Sequence, residues 1–465
     1  MLTHLHIKNF KAWKDTGPIR LAPLTVLFGA NSAGKSSLGH LLLALQQTAR
    51  STDRKRALHL GDASSLIDLG TFTDCLHNHD LKQPLSFELG WTLPKVLDVR
   101  DPLQADSRYQ GDRMQLDVTL AANKAQQPEV QALRYALASN DREVLDVALV
   151  RDEKRKLNLT STHYVFKMAD GRKWPLEEPE KFYRLSDTSM ARYKNAGFLT
   201  DFALATEGML ERISYLGPLR SHPQRIYQWS GDTPASVGQM GEYAVAAILA
   251  AQGEGRRLNR QVGHHTKGFA EFIAAWLKDL GIIHDFSVRS VAEGRKEYAV
   301  LVKTHAKAPE VKITDVGFGI SQVLPALVQA FYCAPHSTVW MEQPEIHLHP
   351  QVQAELADVF ISATQAREGG RPRDVQLIVE SHSEHFLNRL QLRVAEGMVK
   401  PEDVAVYFCR RAGSATELEP LRLNMFGEIE NWPEHFFGNE MADIAGRTLA
   451  AMQRKKEIKQ QGGAK

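Results

Sequence analysis

The segment Gly29-Ala30-Asn31-Ser32-Ala33-Gly34-Lys35-Ser36 sets two glycines ahead of a lysine and a hydroxyl. It fits G-x-x-x-x-G-K-[ST] in full, a pattern whose chemistry is phosphate binding. Successive backbone N–H groups must curl around the anion, so bulky side chains at Gly29 and Gly34 would obstruct its approach. The helix that follows adds unpaired N–H groups and the positive end of its dipole. Lys35 then reaches the β- and γ-phosphates and the Ser36 hydroxyl ligates Mg²⁺. Ala30, Asn31, Ser32, Ala33 and Ser37 complete the expected lining.

A phosphate loop needs a carboxylate on a nearby strand, and Val339-Trp340-Met341-Glu342-Gln343-Pro344-Glu345 offers one. Glu342 ends an apolar run, where it can hold Mg²⁺ directly or through water. Pro344 then stops strand pairing. A zinc reading of Glu345, His347 and His349 is weaker than a positioning role in the loop, because no Cys or further His stands at ligand spacing. Gly317 and Gly319, with Ser321 behind them, leave backbone N–H groups open before the apolar residues Val323, Leu324, Leu327 and Val328. That is a second anion-binding helix start.

The elements that must position these residues are readable from periodicity. Residues 2–8 and 24–28 read as strands, the second running into the glycine turn, and Leu38, Leu41, Leu42, Leu43 and Leu45 mark a helix after it. Residues 85–89, 114–120 and 158–166 read as strands of an antiparallel lobe, separated by turns such as Ala169-Asp170-Gly171. Helical spacing runs over 195–212 and 267–280. Apolar runs at Tyr298–Val302, Thr338–Met341 and Gln376–Val379 read as buried parallel strands. The expected fold is α/β, a split ATPase head with a mixed sheet, flanking helices and an inserted α+β lobe. Its divisions are 1–90 with the phosphate loop, 91–290 as the lobe, 291–410 as the second half of the head, and 411–465 as an aromatic segment and flexible tail.

Together with Asp315-Val316-Gly317-Phe318-Gly319-Ile320-Ser321-Gln322 and Ser381-His382-Ser383, these motifs resemble those of ABC-type ATPases related to RecF, the SMC heads and OLD-family proteins. The order matches as well: phosphate loop, signature, acidic strand, switch histidine. The resemblance covers the two ends of the chain and not its middle. It implies ATP and Mg²⁺ as cofactors, with ATP held between two head-to-tail copies, the signature of one meeting the γ-phosphate held by the other. It also implies that His382 senses or orients that phosphate. The family's catalytic glutamate falls at Gln343, which can orient water but cannot take its proton. Turnover is then slow, or uses Glu345, or needs a partner.

Tyr215-Leu216-Gly217-Pro218-Leu219-Arg220 and the segment around Trp432-Pro433 are similar to stretches of a defence-associated prokaryotic branch of these ATPases, which includes the AriA ATPases of PARIS systems. That likeness implies an antiphage sensor acting on a separate effector. No Asp-x-Asp element of the OLD-type nuclease follows residue 400, so the effector is expected as a separate protein. Two other readings stay open: a RecF-like DNA-maintenance ATPase and a non-hydrolysing ATP-dependent scaffold. A net charge of +2 counts mildly against DNA, although basic clusters occur at 50–56, 151–156, 367–373 and 454–459. Three scattered cysteines, no signal-peptide layout and no long apolar run point to a cytoplasmic protein without membrane contact. Self-association to a dimer, or to a higher oligomer, is the expected assembly.

Overall fold

The computed structural model describes residues 1–433 apart from 64, 105–106, 170–173, 262 and 318, together with Arg447, Leu449, Ala450, Ala451 and Arg454. Phe318 of the signature, the Asp170-Gly171 turn, the Glu434–Phe437 aromatics, the basic stretch 455–459 and the tail 460–465 lie outside the described residues.

A six-stranded sheet carries the phosphate loop. Its strands run in the order Ile213–Leu216, Thr338–Glu342, Gln376–Glu380, Leu24–Gly29, Val404–Ala412 and Ala415–Leu421. The first five are mutually parallel, and the last returns as an antiparallel hairpin. Strands Leu24–Gly29, Thr338–Glu342 and Gln376–Glu380 are buried along their whole length, as parallel strands covered on both faces must be. Their residues alternate between two cores. Val26, Val339 and Val379 face a cluster with the helices Gly319–Tyr332, Pro350–Gln365 and Glu384–Ala395. Leu27, Trp340 and Ile378 face a second cluster containing the helix Lys35–Arg50 and a large antiparallel sheet.

That antiparallel sheet has eight strands, with long members Leu85–Arg100, Arg108–Ala122, Pro128–Ser139 and Arg142–Arg151. With the helix Leu199–Glu211 it forms the α+β lobe. Leu2–Phe10 is also part of it, paired with Leu85–Arg100. Ile213–Leu216, inside the stretch expected as lobe, is a strand of the six-stranded sheet. Val404–Ala412 and Ala415–Leu421 carry that sheet past residue 410 into the segment expected as aromatic tail. Gln376 ties the two sheets: its side chain accepts from Leu2 N at 3.0 Å and donates to Leu2 O at 2.8 Å.

Two strand expectations need correction. Glu297–Lys303 is antiparallel to Asp285–Ser290 in a small separate sheet, not a parallel core strand. A short apolar run does not distinguish a strand buried on both faces from one buried on one face. The strand expected over 158–166 ends at Thr160. There the buried Asp146 carboxylate collects Ser161 Oγ, Thr162 N and Thr162 Oγ1 at 3.1, 2.8 and 2.6 Å, which bends the chain out of the ladder. Among the described residues no helix is long and apolar enough to cross a membrane, and Cys75, Cys333 and Cys409 are buried and unpaired with one another.

Candidate nucleotide site

The strand Leu24–Gly29 delivers the chain into the glycine loop, and the helix Lys35–Arg50 begins at its end. Gly29 has φ 140° and Gly34, the residue capping the helix, φ 82°. A Cβ at Gly29 would lie 2.3 Å from Cys409 O, and one at Gly34 2.9 Å from Ala12 Cβ. Close neighbours therefore demand glycine here as strictly as a phosphate would. Ala30, Asn31 and Ser32 are exposed, and Ala33 is buried. Lys35 is buried, its ammonium folded onto Gly29 O at 2.8 Å and Ala30 O at 2.9 Å, and burial lowers its pKa. The Ser37 hydroxyl is engaged by the fold itself, donating to Gly34 O at 2.5 Å and accepting from Trp13 Nε1 at 2.9 Å.

Carboxylates meet the loop from the neighbouring strand ends. Glu342, 6% exposed, accepts from Tyr215 Oη at 2.8 Å, with His40 Nε2 at 3.8 Å and the Arg220 guanidinium 3.4 Å from its backbone oxygen. Glu380, one strand closer to the loop and in register with Glu342, is 2% exposed. It accepts from Ser36 Oγ at 2.8 Å and from Trp340 Nε1 at 2.9 Å. Burial holds both carboxyls above the usual carboxylate range, and for Glu380 the charge of Glu342 adds to it. Burial also lowers Arg220 to about 10 and His40 to about 4.

The turn after Glu342 reaches toward the switch segment. Gln343 sits at φ 45° and donates its backbone N–H to Glu380 O at 2.9 Å. Glu345 is buried, and its Oε1 accepts from Ser381 Oγ at 2.8 Å and from His382 N at 2.7 Å. Its Oε2 and His382 Nε2 are buried without hydrogen-bond partners among the described residues. Burial raises the Glu345 carboxyl, while burial and the charge of Lys35 lower His382 to about 4, so its imidazole is neutral near pH 7. His349 caps the helix Pro350–Gln365, its Nδ1 accepting from Gln351 N at 3.3 Å.

The signature starts the helix Gly319–Tyr332. That helix precedes the strand Thr338–Glu342, and its first residue lies by Leu348, in the turn that follows the end of that strand. A Cβ at Gly319 would meet Leu348 Cδ2 at 3.8 Å, whereas Gly317 opens on free space. Ser321 is buried, and Asp315 pairs with Arg225 at 2.7 Å.

The structure thus gathers Lys35, Ser36, Glu342, Glu345 and His382 around the strand ends, with the start of the helix Gly319–Tyr332 beside Leu348. Sequence reasoning overlooked Glu380 and the Tyr215 contact. Glu380 had a signal: it ends the apolar run Gln376–Val379 as Glu342 ends Thr338–Met341.

The sheet belongs to an α/β fold that carries a full phosphate-loop pattern, in which the strand of the Gly29–Ser36 loop and the strand ending in Glu342 flank Gln376–Glu380. Residues 249–387 match the family model described as AAA ATPase domain, and residues 399–445 match one described as a protein of unknown function, DUF3696. No curated relative matches the sequence. Among solved structures, an SMC head bound to the C-winged helix domain of ScpA is similar at 12% identity and a TM-score of 0.41, over 91% of this chain and 98% of that chain. The SMC head domain from Thermotoga maritima stands at 9% and 0.40, over 90% and 98%. An SMC head with an extended coiled coil, bound to the C-terminal domain of ScpA derived from Pyrococcus furiosus, stands at 11% and 0.39, over 91% and 96%.

Proposed function

We propose that this chain binds MgATP and hydrolyses it slowly between two head-to-tail copies, coupling nucleotide state to a separate effector protein. The observation that carries the reading is the meeting of the Lys35-Ser36 loop end with buried strand-end carboxylates on one sheet edge. The chain's own residues suit the ligands. Loop N–H groups and the helix start receive phosphates, Lys35 can exchange two carbonyls for phosphate oxygens, and Ser36 and Glu342 offer oxygens to Mg²⁺. When bound, magnesium would neutralise phosphate charge. Gln343 orients the attacking water without accepting its proton, and the neutral His382 contributes a hydrogen bond toward the γ-phosphate.

Glu345 serves this reading by holding the switch segment through Ser381 and His382, and its Oε2, without a partner among the described residues, is the candidate proton acceptor in place of the missing glutamate. The defence role, with an effector of nuclease type, rests on the resemblance of the motifs. Gln343 favours a second reading, an ATP-dependent scaffold that does not turn over. The RecF-like reading predicts salt-sensitive, ATP-dependent DNA binding.

Titrating a fluorescent ATP analogue into the parent protein and Lys35→Ala tests the site. The variant should lose at least tenfold in affinity, equivalent to about 1.4 kcal/mol; equal affinity in the two proteins would sink the assignment. A phosphate-release assay separates slow hydrolysis from the scaffold, which predicts a rate no higher than that of Lys35→Ala.

A further inference from the structure

The magnesium site is expected from Ser36 and Glu342, and the Ser36 hydroxyl also reaches a second carboxylate, donating to Glu380 at 2.8 Å. Its setting is specific. It lies at the end of the strand that adjoins the loop strand, with Glu380 paired to Leu27, whereas Glu342 stands one strand further away. One of its oxygens is fixed by the Trp340 indole at 2.9 Å and the other points to Ser36 Oγ at 2.8 Å. Trp340 is itself buried against Gly39 of the phosphate-loop helix, so loop helix, acidic strand and switch strand together orient this carboxylate.

Acidic side chains outnumber basic ones among the buried residues nearby. Glu342, Glu345 and Glu380 are all buried, while the adjoining buried cations are Lys35 and Arg220. Lys35 is engaged with two carbonyls, and Arg220 reaches the backbone oxygen of Glu342 and leaves its Nε and Nη1 unpaired among the described residues. Two carboxylates side by side in a dry site, next to a serine hydroxyl, form a hard-oxygen donor set for a small divalent cation.

We propose that Glu380 is a magnesium-site ligand, acting with Ser36 and Glu342, so that the metal is gripped by two strand-end carboxylates. This inference rests on the ATP reading above and adds a second acid to it. Because the second acid sits beside the metal and not at position 343, it strengthens Mg²⁺ binding without supplying the missing proton acceptor.

The test measures metal binding directly. The full-length parent, Glu380→Gln and Glu380→Asp are titrated with Mn²⁺ in the presence of ADP and followed by electron paramagnetic resonance. Binding of a fluorescent ATP analogue is measured in EDTA and across a Mg²⁺ series. Glu380→Gln keeps the size of the side chain and an acceptor for Trp340, and a thermal melt checks its folding. The expected result is analogue affinity in EDTA within about twofold of the parent, with Mn²⁺ and Mg²⁺ half-saturation raised about 10–100-fold. Glu380→Asp, which keeps the charge, should fall between the two, and it carries the test if the Gln variant does not fold. Parental half-saturation in either folded variant, with the analogue still bound, overturns the ligand role and leaves the ATP reading standing. Failure of the parent to bind the analogue at all overturns the ATP reading first.

Discussion

Glu345 shows what a single residue does here. Its carboxylate oxygen receives two donors from the switch segment, one side-chain and one backbone. Removing an acceptor strands both donors in a dry place, where each unsatisfied group costs about 1–3 kcal/mol. Glu345→Ala should therefore lower unfolding free energy by at least about 1 kcal/mol, measured by urea denaturation followed by tryptophan fluorescence. A stability equal to the parent's would mean that the switch segment is held by other contacts. Glu345→Gln separates two roles. It keeps an acceptor for Ser381 and His382 but no proton-accepting charge, so stability should change little while phosphate release slows about tenfold or more if Glu345 is the general base. Unchanged release in a stable Glu345→Gln protein would leave Glu345 with the tethering role alone.

At the scale of elements, the helix Lys35–Arg50 lies close on the acidic strand because Gly39 has no side chain. A Cβ there would come within 2.5 Å of Trp340 Cε2. Gly39→Ala gains about 0.5–1 kcal/mol of helix preference but overpacks a buried tryptophan, a change that costs about 1–3 kcal/mol. The expected net result is lower stability by thermal melt, together with weaker Mg²⁺ binding as Trp340 moves off Glu380. A stabilised variant would show that Trp340 yields freely. In the lobe, Asp146 ends the strand Leu157–Thr160 by collecting donors from residues 161–163. Burial pushes its carboxyl up, but hydrogen bonds from Thr162, His163 and Ser161 more than offset this, and the net shift is downward. A carboxyl whose folded pKa is depressed adds stability above its unfolded pKa of about 3.9, and that stability is lost as pH falls through the folded value. Asp146→Asn should be less stable than the parent at pH 7, with the gap closing as pH falls below about 4. A gap independent of pH would place the loss in packing and not in the charge.

These elements also show what could be read without a structure. The phosphate loop was legible because its chemistry is local: eight consecutive residues state the whole requirement. The acidic strand end was legible for the same reason. Glu380 carried the same strand-end signal, but its role comes from the strand beside it and the register that sets it next to Glu342, 38 positions away along the chain. Leu2–Phe10 was readable as a strand, but an alternating segment carries no sign of which sheet it joins. Asp146 was invisible as a strand breaker because the groups it attracts come from 15 to 17 residues further on.

At the scale of the whole molecule, one protomer presents two helix starts along the carboxyl edge of its central sheet, at Gly34 and at Gly319. The first opens onto the phosphate loop. The second has free space at Gly317 and lies beside Leu348, in the loop after the acidic strand. On the proposed function, this second helix start would receive a phosphate from elsewhere, and a two-fold pairing of identical chains would supply it twice. ATP should therefore drive the full-length protein from monomer to dimer in sedimentation velocity, and Lys35→Ala should abolish the shift. Gly319→Asp is the sharper variant. A carboxylate in the first turn of a helix favours the helix dipole by about 0.3–1 kcal/mol, so the monomer should fold and still bind the ATP analogue through its own loop. The same carboxylate would meet the γ-phosphate of the partner copy with like charge, and ATP-driven dimerisation should be lost. A Gly319→Asp protein that dimerises with ATP as the parent does would show that the second helix start faces something other than a neighbour's nucleotide.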